Sequence, residues 1–360
     1  MDDSIEPFVQ ALLAELRYIA RVKPQIPLKT VFFGGGTPSM LSIAQLALIL
    51  DTIRRDFALV PHAEISLEAN PNDLNRVYLQ GLVSVGVNRL SLGMQSADER
   101  ELAMYGRQHT SEMVAQAVQD AHAVGLTNIS LDLIFGNPHQ TLQQWERTLQ
   151  QALRYLPTHI SLYGLEVKGG TVLKAQITRG DLPSPDDDLA ADMYQLAESV
   201  LEDAGLQHYE ISNWAKMGYE AQHNLQYWHN LPYLGVGAGA HGYVDNVRTI
   251  VTRLPQRYIH AMQYATQSQR AFPRTPATSK AVPVTRESEM VETLMTGLRL
   301  TREGISREGF KARFGVDIVA ERATSLSRLV SLGMVEVTET AVRLTKAGRF
   351  ISNRVISELL

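Results

Sequence analysis

The sequence predicts an α/β protein: successive βα units building a parallel sheet, then a glycine-rich extension, then a C-terminal module of helices closed by a hairpin. Three observations carry this reading. Amphipathic helical stretches alternate with short apolar runs through the first half. Each helical stretch is long enough to cross back over a sheet. The last segment ends in two alternating strands after three helical patterns.

Ile5, Phe8, Leu12, Leu16 and Ile19 recur at steps of three and four, a helix face. Thr30-Val31-Phe32-Phe33 then runs apolar without alternation into Gly34-Gly35-Gly36, the pattern of a strand buried on both sides. Four more strands follow at Ile65-Ser66-Leu67-Glu68, Arg89-Leu90-Ser91-Leu92, Ile129 to Ile134 and His159 to Tyr163. Between them lie helices over Ile43 to Phe57, Asn72 to Val85, Ser111 to Val124 and Thr141 to Leu156. Beyond Val167 the pattern breaks. A helix over Leu189 to Ala204 leads to a strand at Tyr209-Glu210-Ile211 and to the glycine-rich run Gly235 to Gly242, which reads as a lid or sheet extension. Residues 265–286 are rich in Pro, Thr, Ser and Ala and read as a connector. Helices over Glu287 to Leu300, Ser306 to Phe314 and Ile318 to Leu332 precede strands at Met334 to Val337 and Ala341 to Thr345, a winged-helix-like arrangement. The expected division is therefore 1–168, 169–264, 265–286 and 287–360.

Composition narrows the function classes. Lys+Arg 34 against Asp+Glu 38 gives a formal net charge of -4, which provides no general attraction for nucleic acid or anionic lipid. The C-terminal module, Arg286 to Leu360, carries 12 Lys/Arg and 10 Asp/Glu, too little excess for a phosphate footprint, so contact with the barrel or a partner protein is expected. Cys 0 excludes disulfides, thiol catalysis and any iron–sulfur cluster held by this chain's own thiolates. The start, Met1-Asp2-Asp3-Ser4, is acidic where a secretory leader would be basic, and no apolar run approaches the roughly 20 residues of a spanning helix, so the expected compartment is the cytoplasm. No Gly-x-Ser-x-Gly elbow supports a hydrolase, and no His/carboxylate cluster supports a second metal site.

In parallel βα folds ligands sit at the carboxyl ends of the strands. The ends here offer Gly34-Gly35-Gly36-Thr37-Pro38, Glu68-Ala69-Asn70-Pro71, Gly93-Met94-Gln95-Ser96, and Asp132 followed by Gly136-Asn137-Pro138, with Arg107 after a short helix. Each alone is ordinary turn chemistry. Together they supply acceptors for an amino group and ribose hydroxyls, and a counterion for a carboxylate, the inventory of an amino-acid nucleoside.

In order and spacing, Phe32 to Ser39, Glu68-Ala69-Asn70-Pro71, Gly93 to Ser96, Gly106-Arg107-Gln108-His109 and Leu131 to Gly136 resemble radical S-adenosylmethionine proteins of the oxygen-independent coproporphyrinogen oxidase superfamily. The resemblance covers nearly the whole chain. It implies a partial (β/α)6 radical-SAM barrel with the first strand missing, plus a C-terminal winged-helix-like domain. His223-Asn224-Leu225-Gln226-Tyr227-Trp228 resembles the His-Asn-x-x-Tyr-Trp signature of the superfamily's heme-chaperone branch. By that resemblance Gly34, Gly35, Gly36, Thr37, Glu68, Gln95, Arg107 and Asp132 would hold S-adenosylmethionine. His223, Asn224, Tyr227 and Trp228 would take heme, with His223 as iron ligand; His208, His229 and His241 stay open as alternatives. No residue is assigned a catalytic role.

The family's Cys-x-x-x-Cys-x-x-Cys segment, which holds a [4Fe–4S] cluster, has no counterpart here. Without the cluster no electron reaches the sulfonium. Losing the preceding strand would leave Thr30 to Phe33 as an apolar sheet edge. A start read too far downstream or a fragment of a longer chain explains this better than a degenerate relative. The resemblance implies a heme chaperone that delivers heme to a recipient hemoprotein, a membrane-associated one among the options, with a homodimer as an allowed state and no nucleic-acid partner. The alternatives are oxygen-independent coproporphyrinogen III dehydrogenase and a cluster-free heme-binding scaffold.

Overall fold

Helix α1 (Ile5–Val22) opens the computed structural model, which describes residues 4–360; the acidic start Met1–Asp3 lies outside them. The βα units then run β1 (Pro27–Phe33), α2 (Ile43–Asp56), β2 (Ala58–Ala69), α3 (Arg76–Val85), β3 (Arg89–Gln95), the short α4 (Glu99–Met104), α5 (Ser111–Ala123), β4 (Ile129–Phe135), α6 (Leu142–Arg154) and β5 (His159–Gly164). Local chemistry marks the helix ends. Ser42 with Gln45 and Thr141 with Gln144 form capping boxes on α2 and α6, and Gly86, at φ 98°, stops α3 in a conformation that other residues resist.

After α7 (Val172–Arg179) and α8 (Asp187–Asp203) come β6 (Gln207–Glu210), β7 (Asn213–Ala215) and α9 (Gln222–Trp228). The strands form one curled seven-stranded half-barrel in the order β1-β2-β3-β4-β5-β7-β6, parallel from β1 to β5 and antiparallel thereafter. Parallel register places Thr30 beside Glu64, Ser66 beside Arg89, Glu68 beside Ser91, Ser130 beside His159 and Asp132 beside Ser161. Paired residues share a face, so the concave side is polar. The convex side carries Ile65, Leu67, Leu90, Leu92, Leu131 and Leu162, which form the main core under the helices.

This corrects the reading of β1 as buried on both sides. β1 is an edge strand and Phe32 is 37% exposed on the concave side. Its faces are covered by different helices: Val31 and Phe33 pack with Leu13, Leu16 and Ile53 of α1 and α2, while Thr30 and Phe32 meet α9. A second sheet, β8 (His241–Val244), β9 (Val247–Val251) and β10 (Thr278–Pro283), holds α10 (Pro255–Gln263) between its last two strands. The expected connector over 265–286 thus contains a strand, with β10 pairing antiparallel to β9.

The C-terminal module comprises α11 (Arg286–Gly297), β11 (Ile305–Ser306), α12 (Arg307–Phe314), α13 (Ile318–Glu321), α14 (Ala323–Ser331), β12 (Val335–Val337), β13 (Ala341–Leu344), α15 (Lys346–Phe350) and α16 (Ser352–Leu359). The hairpin gains β11 as a third strand, and Leu294, Phe310, Leu326 and Val342 form a core of their own. The module caps the far edge of the half-barrel: the Ile211 N–H donates to the Arg299 carbonyl, and the Thr301 N–H to that of Tyr209.

Candidate functional site

At the carboxyl ends of β1 to β4 the structure brings together Gly34, Gly35, Gly36, Glu68 and Asp132. Gly34 is required by space: a Cβ there would stand 2.3 Å from the Phe32 ring and 3.0 Å from Glu68 Cδ. Gly35 has φ 90°, its N–H donates to Glu68 Oε2 at 3.1 Å, and beyond it and Gly36 the side-chain direction is open. Asp132 accepts from Ser91 Oγ at 2.9 Å and from Ser130 Oγ at 3.3 Å. Burial raises the pKa of both acids, and Asp132 raises that of Glu68 further. Two carboxylates held near each other make the mouth electronegative. A ligand bearing sulfonium and ammonium charges, as S-adenosylmethionine does, would relieve that repulsion. Arg107 donates to Asn70 Oδ1 at the rim, where a ligand carboxylate could reach it. Thr37 precedes the short helical turn Pro38–Met40, and Gln95 lies buried at the end of β3 with φ 63°.

A cluster does not fit this chain. It has no cysteine, and the described residues contain no group of three His, Cys, Asp or Glu side chains placed to hold a metal ion.

The second centre is α9. Its N-cap, Ala221, has no side chain to satisfy the first helical N–H groups. Strand residues do so instead. Tyr209 Oη accepts from the Ala221 N–H at 3.2 Å, and the Glu64 carboxylate accepts from the N–H groups of Gln222 and His223, each at 3.0 Å. Buried Arg89 stands 3.7 Å behind Glu64. The anion on the helix N-terminus is stabilised by the dipole as well as by two charge-assisted bonds.

His223 is therefore seated on the half-barrel. Its Nδ1 pairs with Thr30 Oγ1 at 2.8 Å, its Nε2 with Tyr227 Oη at 2.6 Å, and its ring stacks on Phe32 with centroids 5.0 Å apart. Burial depresses its pKa to about 4, so the imidazole is neutral at physiological pH. Both ring nitrogens are engaged, and iron ligation would require one to be released. Trp228 points elsewhere, under the Arg299 guanidinium at 4.5 Å, and so ties α9 to the C-terminal module; Asn224 is half-buried on the same helix.

A polar chain joins the two centres. Ser130 Oγ, already on Asp132, meets His159 Nδ1 at 2.8 Å, and His159 Nε2 meets Tyr209 Oη at 2.8 Å, the group that holds Ala221. His159 is buried and its pKa is driven well down by burial and then by Arg89, so it bridges as a neutral ring.

The other histidines differ in setting. His208 is buried and stacked on Trp214 at 4.0 Å, with its Nδ1 facing Glu198 and Arg349. His229 Nε2 lies 3.1 Å from Glu303, and His241 is exposed at the start of β8. Sequence reasoning passed over Thr30, Glu64, Arg89, His159 and Tyr209. The signal available was alternation: Glu64-x-Ser66-x-Glu68, Arg89-x-Ser91 and His159-x-Ser161 place polar side chains at every second position.

Comparison with known proteins finds the Radical SAM superfamily over residues 6–152 and the HemN C-terminal domain over residues 284–351. The chain is 36% identical over 359 residues to the heme chaperone HemW of Bacillus subtilis, covering 99% of this chain and 92% of that one. It is 35% identical to the heme chaperone HemW of Mycobacterium tuberculosis, covering 99% and 87%. The solved structure of coproporphyrinogen III oxidase (HemN) from Escherichia coli superposes with a TM-score of 0.82 at 21% identity, covering 98% of this chain and 82% of that one, a likeness of fold.

Proposed function

The chain belongs to the HemW family of heme chaperones, radical SAM proteins by fold, and from that premise we propose that it binds heme at α9, with His223 as axial ligand, and delivers it to an acceptor hemoprotein in the cytoplasm. The observation that carries the proposal is the seating of α9: a neutral imidazole on a short helix whose first three N–H groups are held by barrel side chains. Neutral imidazole is the form that ligates iron. His223 Nε2 is the nitrogen to be freed, because it is held by Tyr227 of the same helix, whereas Nδ1 is anchored to β1.

S-adenosylmethionine would lie at the strand ends. Glu68 and Asp132 would accept from its amino and hydroxyl groups, Arg107 would face its carboxylate, and the open backbone of Gly35 and Gly36 would allow close approach. When bound with a cluster such a cofactor supplies a radical; this chain has no ligand set for the cluster, so the role assigned to the site is binding. The polar chain from Asp132 to Ala221 would let occupancy of that site bias the seating of α9.

The test is a heme titration of the chain followed at the Soret band, beside His223→Ala. Saturable binding that the variant loses is the expected result. Equal weak binding by both proteins, or none by a folded wild type, overturns it. Decarboxylation of coproporphyrinogen III by this chain would favour the dehydrogenase reading instead.

A further inference from the structure

From Asn246 to Arg286 the chain contains seven Lys/Arg and no Asp or Glu, although acids outnumber bases in the whole sequence. Arg248 pairs with Glu292 of α11, but Arg253, Arg257, Arg270, Arg274 and Lys280 have no carboxylate within salt-bridge distance among the described residues. Arg270, Arg274 and Lys280 converge on an open groove of about 400 Å³. Its remaining wall is Ala271, Thr278, Ser279 and Ala281, so the groove lies between the turn at 270–274 and the first half of β10. β10 is the edge of its sheet and pairs with β9 on one side alone. All three cations are exposed; Arg270 is steadied by a bond from Nη1 to the Thr278 carbonyl at 3.1 Å.

We infer that this groove is a docking site for an extended, acidic segment of a partner protein, which adds to β10 as a further strand while its carboxylates meet Arg270, Arg274 and Lys280. An edge strand offers backbone donors and acceptors that a peptide can satisfy and a lipid surface cannot. Like charges along the edge repel a second copy of this chain, the usual effect of an edge lysine. Complementary charge sets the partner and speeds its encounter. The site is remote in sequence from α9 and stands whether or not His223 ligates iron.

The test uses the full chain and a fluorescein-labelled peptide of alternating Glu and Thr, read by anisotropy. Binding is expected at about 0.01 M salt and is expected to be lost near 1 M, as the screening length falls from about 30 Å to about 3 Å. The double variant Arg274→Glu/Lys280→Glu is expected to weaken binding at least about tenfold while the circular dichroism melt and the Soret titration stay as in the wild type. Neither side chain makes a hydrogen bond or ion pair that the fold depends on. Unchanged affinity in the double variant overturns the proposal. So does equal binding of the same peptide N-methylated at every residue, which has no backbone donor for the strand edge, and so does binding to phosphatidylglycerol vesicles with none to the peptide.

Discussion

Glu64 seats α9, and removing it should loosen that helix without unfolding the barrel. Glu64→Ala deletes the acceptor of the Gln222 and His223 N–H groups, each at 3.0 Å, and leaves buried Arg89 without the carboxylate 3.7 Å away. A hydrogen bond to a charged group contributes about 1.5–3 kcal/mol. Two such bonds are partly offset because water can reach a freed helix terminus, which leaves about 3 kcal/mol for the seating of α9. That corresponds to a factor of about 100 in its opening constant. Native-state hydrogen exchange reads this directly at the Leu225 and His229 amides, which donate to Ala221 and Leu225. Their exchange should accelerate about 100-fold while the amides of β4 keep their protection. Glu64→Gln, retaining one carbonyl acceptor, should fall between. Exchange at Leu225 that changes less than about threefold, or β4 amides that accelerate equally, would refute the reasoning, because Glu64 would then be either idle or a general stabiliser.

Further expectations follow from the same geometry. Tyr227→Phe frees His223 Nε2 from a bond of 2.6 Å and should tighten heme binding about fivefold, the equivalent of one net hydrogen bond of about 1 kcal/mol; weaker binding in a Soret titration would contradict this. Gly34→Ala would drive a methyl into the Phe32 ring, with contacts of 2.3 and 2.5 Å, and should cost about 1–3 kcal/mol in urea unfolding; an unchanged midpoint would show that Phe32 yields freely. Burial pushes Glu210 up to about 7 from 4.5. Between those values the folded state keeps a proton that the unfolded state releases, so stability should fall as pH rises through the window, by up to about 3 kcal/mol. Glu210→Gln should flatten that slope in melts between about pH 5 and pH 8, and a slope that persists would assign it to other groups.

The parts legible in the sequence were those specified locally. The five parallel strands stood out because Val31, Ile65, Leu90, Ile129 and Ile160 lie in short runs bounded by polar or Gly/Pro residues, and the helical stretches between them were long enough to cross back over a sheet. The concave face was harder to see. Glu64 immediately precedes the run that announced β2, and in β1 Phe32 breaks the polar alternation with an aromatic ring that belongs under His223. The contact of Glu64 with α9 spans 158 residues and leaves no local pattern. β10 escaped notice because an edge strand needs no apolar face on its outer side, and Lys280 and Pro283 make it resemble a loop. At the strand ends, Gly34, Glu68 and Asp132 were picked out by position and by resemblance, and the structure adds what position could not show: Asp132 raises the proton affinity of Glu68.

The central claim, that His223 leaves Tyr227 to ligate heme iron, is tested most directly by resonance Raman spectroscopy of the ferrous heme complex. An iron–imidazole stretching band in the wild type, absent in His223→Ala and retained in His229→Ala and His241→Ala, is the predicted result. The same band in His223→Ala, or its loss in either of the other variants alone, would contradict the account and move the heme site off the barrel-facing side of α9.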